Sequence, residues 1–270
     1  MQGSSRAALV AASEVFDGVL AGGADAVSLA DDLFGIVGAL DGSAALRRAV
    51  GDPSREGSAK AALVDRLFGG KVGDPALQVL RSLVEQRWAQ DRDLTDVGAQ
   101  LAVSAVIAGA DQQGRADRVE DELFRFERIV AGNPGLRDAM TDRRAQVAPK
   151  AQVVESLLAG RAAPETVRLA RQAVLSPRGR RFDQVMETFQ TIAETRRQEL
   201  AATVTAAIAL DDSQRERLVA ALSAHYGKTV HLNVVLDPRV VGGIRVQVGD
   251  EVVDGTILRR LDEARRRLGA

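Results

Sequence analysis

The first two thirds of this chain are written twice. LADDLFGIV (29–37) lies over VEDELFRFE (119–127), and GSAALRRAVGD (42–52) over GNPGLRDAMTD (132–142), both at a spacing of ninety residues. The spacing persists: in KAALVDRLFGGK (60–71) and KAQVVESLLAGR (150–161), Lys60, Val64, Leu67 and Gly70 meet Lys150, Val154, Leu157 and Gly160. After a small gap, QDRDLTDV (90–97) meets RGRRFDQV (178–185). That period is too long for a solenoid repeat and suits a duplicated small domain.

Each copy reads as helical. Leu63, Val64 and Leu67, then Leu77, Leu80, Val84 and Trp88, recur at three- and four-residue spacing, which stacks them on one face of a helix. Trp88 on such a stripe is expected to be a core anchor rather than a ligand-stacking residue. Pro53, Pro75, Pro134, Pro149, Pro164 and Pro177, with Gly42, Gly69, Gly70, Gly132 and Gly160, punctuate the copies into short helices. Over 94–108 only Gly98 interrupts a helix-compatible run, and this run aligns both with the last helix of the second copy and with the first helix of its own neighbour. One helix can therefore serve both bundles. No Gly/Ser-rich or Pro-rich linker occurs there or over 182–209, so stiff joints are expected.

The remainder changes period. ATVTAAIAL (202–210) alternates with Val204, Ala206 and Ile208 on one side, as a strand does. Asp211, Asp212 and Ser213 offer helix caps, Leu218, Val219 and Leu222 an apolar face, and Gly227 a stop. KTVHLNVVLD (228–237) reads as a second strand. Ile244, Val246 and Val248, then Gly249-Asp250, then Val252, read as a hairpin, since glycine supplies the positive φ of a tight turn. Asp254 or Thr256 can cap a last helix with Ile257, Leu258, Leu261, Ala264 and Leu268 inward and Arg259, Arg260, Arg265, Arg266 and Arg267 outward. The expected fold class is mainly α: tandem helical bundles over 1–100 and 101–200, then a small α/β domain over 201–270 with the order β-α-β-β-β-α.

Reactive chemistry finds little support. The 36 basic and 37 acidic residues leave a net charge of -1, so no overall field draws the chain to nucleic acid or anionic lipid. There are no cysteines, which removes disulfides, thiolate catalysis and Cys-ligated zinc. No G-x-G-x-x-G occurs, and Gly70-Lys71 lacks the remainder of a phosphate loop. His225 and His231 have no metal-ligand spacing. Asp237, Asp250 and Asp254 sit beside proline or glycine at expected turns, where carboxylates ordinarily accept backbone N–H groups. No cofactor and no metal are expected. The first residues read as an amphipathic helix interrupted by Glu14 and Asp17, not as a signal peptide. The longest uncharged run, between Asp96 and Asp111, is shorter than the roughly 20 apolar residues that span a bilayer.

The string Asp237-Pro238, Val241-Gly242-Gly243, Val246-Gln247-Val248-Gly249-Asp250, Val253-Asp254-Gly255-Thr256 and Arg260-Leu261 resembles the signature of the delta subunit family of F-type ATP synthases, whose mitochondrial member confers oligomycin sensitivity. The family usually has serine at the place of Thr256, which keeps the capping hydroxyl. EDELFRFERIVAGNPGLRDAM (120–140) and the stretch 150–160 resemble its helical bundle, so the similarity covers roughly 103–270. The extra copy over 1–100 departs from the usual chain and resembles long actinobacterial forms. In those the subunit can be fused to a b subunit, and no membrane segment for such a fusion occurs here.

The resemblance implies a non-catalytic piece of the peripheral stalk, on the cytoplasmic face of the cell membrane and attached to it only through the complex. Its bundle would take the N-terminal segments of alpha subunits in a groove between its first and last-but-one helices. Candidate lining residues are Val103, Val106, Ile107, Val167, Ala170 and Val174, whose alternative is packing inside the bundle. The C-terminal domain would meet the b subunits, with Arg259 and Arg260 as candidates. Nucleic acid is not an expected partner. Two other readings stay open: a nucleic-acid or nucleotide-binding regulator using the terminal arginines, marked by salt-dependent binding, and an enzyme with a site built from Asp and Arg.

Overall fold

The ninety-residue spacing reappears in three dimensions. In a computed structural model, residues 3–142, 144–226, 229–240, 242–248 and 251–254 are described. The first copy comprises α1 (Gly3–Ala21), α2 (Ala26–Gly42), α3 (Ala44–Gly51), α4 (Gly57–Phe68), α5 (Asp74–Glu85) and α6 (Asp91–Gln112). The second comprises α7 (Ala116–Gly132), α8 (Pro134–Thr141), α9 (Val147–Leu158), α10 (Pro164–Leu175) and α11 (Phe182–Gln198). Both ends of α2, α3, α4 and α5 recur ninety residues later in α7, α8, α9 and α10.

The polar contacts that shape the copies recur as well. Ser43 Oγ accepts the Leu46 N–H at 3.2 Å, and Asn133 Oδ1 accepts that of Leu136 at 3.1 Å, each capping the short third helix of its copy. Asp32 accepts the Gly73 N–H at 2.8 Å, and Glu122 accepts the Ala163 N–H at 2.8 Å. Arg81 pairs with Asp65 at 2.6 Å, and Arg171 with Glu155 at 3.1 Å. The chain leaves α4 through Gly70 at φ 72° and α9 through Gly160 at φ 69°, left-handed conformations that glycine adopts without penalty.

Helix α6 carries the join. It runs unbroken across residue 100, and Leu94, Thr95, Val97 and Gly98 are buried, as is every residue from 101 to 110. A helix apolar on all sides is a buried helix. Here α2, α3 and α5 pack on α6 from the first copy and α7 and α10 from the second. Gly98 lets α2 close in: a methyl group there would stand 3.1 Å from Val37 Cγ2. Both copies accordingly fall in one compact unit, Met1–Phe16 with Ala24–Arg197, while Asp17–Gly23 with Gln198–Ala270 form another. Trp88 is buried as expected and donates Nε1–H to the Leu83 carbonyl at 2.7 Å, but it stands in the loop beyond α5 rather than on the helix.

The second unit contains β1 (Glu199–Ala206), α12 (Asp212–Tyr226), β2 (Thr229–Leu236), β3 (Ile244–Val248) and β4 (Glu251–Asp254), in the sheet order β2-β1-β3-β4. β1 and β2 are parallel and joined through α12; β3 is antiparallel to β1 and β4. Ala202, Val204, Val230, Leu232, Val246 and Val248 form its core, with Leu218, Val219 and Leu222 of α12 packed against them. Asp211 accepts the Gln214 N–H at 2.8 Å while Gln214 returns a bond to the Asp211 N–H at 3.0 Å, a reciprocal cap. Ile208, expected to continue the inward side of β1, is 77% exposed. The reason is pairing: β1 loses both neighbours after Ala206, whose carbonyl accepts the Asp237 N–H. Gly227, the Gly249-Asp250 turn and the expected last helix lie outside the described residues; Val248 pairing with Glu251 places β3 and β4 as that hairpin requires.

Two outcomes follow. Fragment 1–100 cuts α6 and removes Gly109, beside which Ala26 and Val27 pack, so it should melt without a cooperative transition by circular dichroism whereas 1–112 should show one. At Glu122 burial pushes the pKa up, but the Thr166 hydroxyl, the Ala163 N–H and Arg118 together bring it below the ordinary 4.5. Its contribution to stability is therefore complete above pH 4.5 and lost as pH falls through the folded-state value. Glu122→Gln should flatten the acid side of a melting-temperature profile.

Candidate functional site

On the first unit a cleft of about 580 Å³ opens between α2 and α10. Val106 of α6 lies in it, Val27 and Phe34 line it from α2, and Val167 and Leu175 from α10. Val27 is 41% and Leu175 39% exposed, so the apolar lining is open to water. The rim is charged: Arg168 pairs with Asp31 and donates to the Val27 carbonyl at 3.4 Å, while Arg171 pairs with Glu155. Burial pushes the Arg168 guanidinium down, partly offset by Asp25, yet an arginine keeps its charge. An apolar floor between opposed charges suits an amphipathic helix, and the carboxylates that line it, Asp31, Glu155 and Glu165, are each paired with an arginine.

A second cavity of about 320 Å³ lies beside it, lined by Phe34, Val37, Val103, Val185, Phe189 and Ile192 with a polar end. That end is governed by Arg178, whose side chain is 9% exposed. It donates to the Thr95 carbonyl at 2.5 Å and to the Thr95 hydroxyl at 2.6 Å. It also stands 3.1 Å from Asp41 and 3.3 Å from Asp96, and the Arg92 guanidinium holds the Arg178 carbonyl at 2.6 Å. Its Nε and the facing Asp41 oxygen touch as ions without hydrogen-bond alignment. Burial pushes the guanidinium down, and the two carboxylates act against that. Arg178 has φ 53°, a left-handed conformation unfavourable for a residue with a Cβ. The loop between α10 and α11 is thus pinned to α2 and α6.

The six expected groove residues are not one surface. Val106 and Val167 line the cleft, Val103 lines the second cavity, and Val174 lines a third of about 250 Å³ with Met140, Val147 and Phe182. Ile107 and Ala170 are buried and line none of these three. Sequence reasoning missed Val27, Asp31 and Phe34, because it sought the groove within the second copy alone. A signal existed: Leu29, Ala30, Leu33, Ile36, Val37 and Leu40 form the buried stripe of α2, and Val27 and Phe34 fall off it.

The family model described as ATP synthase delta (OSCP) subunit matches residues 103–268. The chain belongs to that family. It is 49% identical over 98% of its length to ATP synthase subunit delta of Kineococcus radiotolerans, of which the match covers 97%. It is 46% identical over 99% of its length to that of Streptomyces avermitilis, covering 98% of it, and 45% identical over its full length to that of Acidothermus cellulolyticus, covering all of it. These relatives align through both helical copies, so the long form is shared.

The signature that carries the delta (OSCP) resemblance is architectural where it is described. Asp237 accepts the N–H and the guanidinium of Arg239, both at 3.0 Å, and closes the turn through Pro238; its pKa is lowered by those bonds. Gly242 and Gly243 take φ 66° and 80°, which reserves both positions for glycine. Asp254 ends β4. Gly249, Asp250, Gly255, Thr256, Leu261, Arg259 and Arg260 lie outside the described residues. Among the described residues no group of three or more His, Asp or Glu is placed to hold a metal ion.

Arg178→Met should cost the first unit about 3 kcal/mol, the low end for breaking a buried ion pair, because Asp41 and Asp96 keep some solvent. Arg178→Gly relieves the backbone but should still destabilise, by less. Denaturant unfolding of the full chain separates the two.

Proposed function

We propose that this chain is a non-catalytic peripheral-stalk subunit of an F-type ATP synthase, tying the catalytic head to the b subunits so that the head resists rotor torque. Full-length similarity to subunits named ATP synthase subunit delta supports the assignment to that complex. The single structural observation that carries the mechanical role is the cleft between α2 and α10, an open apolar surface on a unit whose two copies are locked by α6 and Arg178.

The N-terminal segment of an alpha subunit occupies the cleft as an amphipathic helix, with apolar side chains against Val27, Phe34, Val106, Val167 and Leu175. Each anchor contributes about 1.5–3 kcal/mol when buried, so three or four overcome the ordering cost of a peptide. Val103, Ile107, Ala170 and Val174 support the cleft from within the bundle. The second unit, with Arg259 and Arg260, meets the b subunits. Among the described residues no helix is long and apolar enough to cross a membrane. The chain joins the cytoplasmic face of the membrane through its partners. Proton flow then turns the rotor against a fixed head, and the work goes into ATP synthesis.

Val167→Asp places a charge at a half-exposed position of the cleft. The full chain should fold as before, while its affinity for the alpha N-terminal segment falls by about tenfold to a hundredfold, the loss of one apolar anchor. Fluorescence titration reads the difference; unchanged affinity sinks the cleft assignment.

A further inference from the structure

The duplication supplies a template for a second docking surface. On α2 the residues Val27, Asp31 and Phe34 face the second copy: Asp31 pairs with Arg168, the Val27 carbonyl accepts from it, and Phe34 shares a cavity with Phe189 and Ile192. Ninety residues on, the same positions of α7 are Asp117, Asp121 and Phe124. All three are exposed, Phe124 to 53%. The acid and the aromatic are kept at the same three-residue spacing, yet no third copy follows α11 to cover them, since the chain turns to β1. Asp121 pairs within its own helix with Arg125, both side chains more than half exposed, and such a pair exchanges at little cost.

We propose that this face of α7 docks a basic amphipathic helix of a neighbouring subunit, with an arginine or lysine opposite Asp121 and aliphatic side chains over Phe124. The occupant is defined by what meets the equivalent, half-open face of α2, where Arg168 answers the aspartate and apolar residues of α10 and α11 share cavities with the phenylalanine. A solvent-exposed phenylalanine beside a carboxylate invites burial under a side chain that neutralises the carboxylate. This rests on the stalk reading, because the neighbour is a subunit of the same complex. It differs from the cleft in both site and occupant: the cleft lies at the junction of the two copies, and no residue of α7 lines it.

The chain has no cysteine, so Asp117→Cys installs a unique thiol on this exposed face while keeping Asp121 and Phe124. Its reaction with a maleimide, read as a mass shift of this chain, is compared between the free full-length protein and the purified ATP synthase. The expected result is a rate about tenfold lower in the complex, with most of the protection lost when Asp121→Arg is added and the unfolding midpoint of the free chain unchanged. Equal rates in a complex that retains the chain overturn the α7 surface and leave the stalk reading standing. Protection that survives Asp121→Arg overturns the basic occupant. A chain that never co-purifies with the complex overturns the stalk reading, and the α7 surface with it.

Discussion

A single helix that must be buried on every side sets the terms for the first unit. α6 is the last helix of one copy and the first of the next, so over 101–110 it has no face left for water. That requirement explains its composition. Ala102, Ala105, Ala108 and Ala110 keep its girth small enough for neighbours on all sides, and Gly98 and Gly109 allow α2 to approach along its length. Helix-forming propensity argues against two glycines in one helix. Packing from both copies outweighs it.

Duplication then preserved some contacts and diverted others. Asp32 and Glu122 each hold the start of a later helix, and the Arg81–Asp65 and Arg171–Glu155 pairs recur, because each is internal to its copy. Positions at the junction diverged in use. Ser5 accepts the Ala89 N–H and donates to Asp93, whereas Thr95, its counterpart, receives Arg178. The hydroxyl is kept and its partner has changed from a backbone amide to a buried guanidinium.

Much of this was legible in the sequence. Periodicity placed the helices, the ninety-residue offset paired them, and the unbroken run at 94–108 pointed to a shared helix. The α/β order followed from alternation and caps. What the sequence hid was long-range. The inward side of β1 stops at Ala206 because its partner strands stop, which Ile208 does not reveal. The cleft needs α2 from one copy and α10 from the other, so a groove sought inside one copy mixed Val106 and Val167 with core residues. Arg178 looked like one basic residue in a run, and its burial depends on Asp41, far away in the chain.

Why the copies need more than α6 follows from mechanics. A helix shared by two bundles removes a flexible linker, but two bodies joined along one axis can still twist about it. α2 is held at a second pair of points, Asp31 by Arg168 and Asp41 by Arg178. Ten residues separate the two aspartates, about 15 Å along a helix. Anchors that far apart along α2 oppose rotation, which one anchor could not. The arginines suit this use because a guanidinium keeps its charge when buried and binds several acceptors in fixed directions. Their individual contributions to stability are small beside the hydrophobic core. Their value to a stalk subunit lies in where they stand, off the axis of the one helix the two copies have in common.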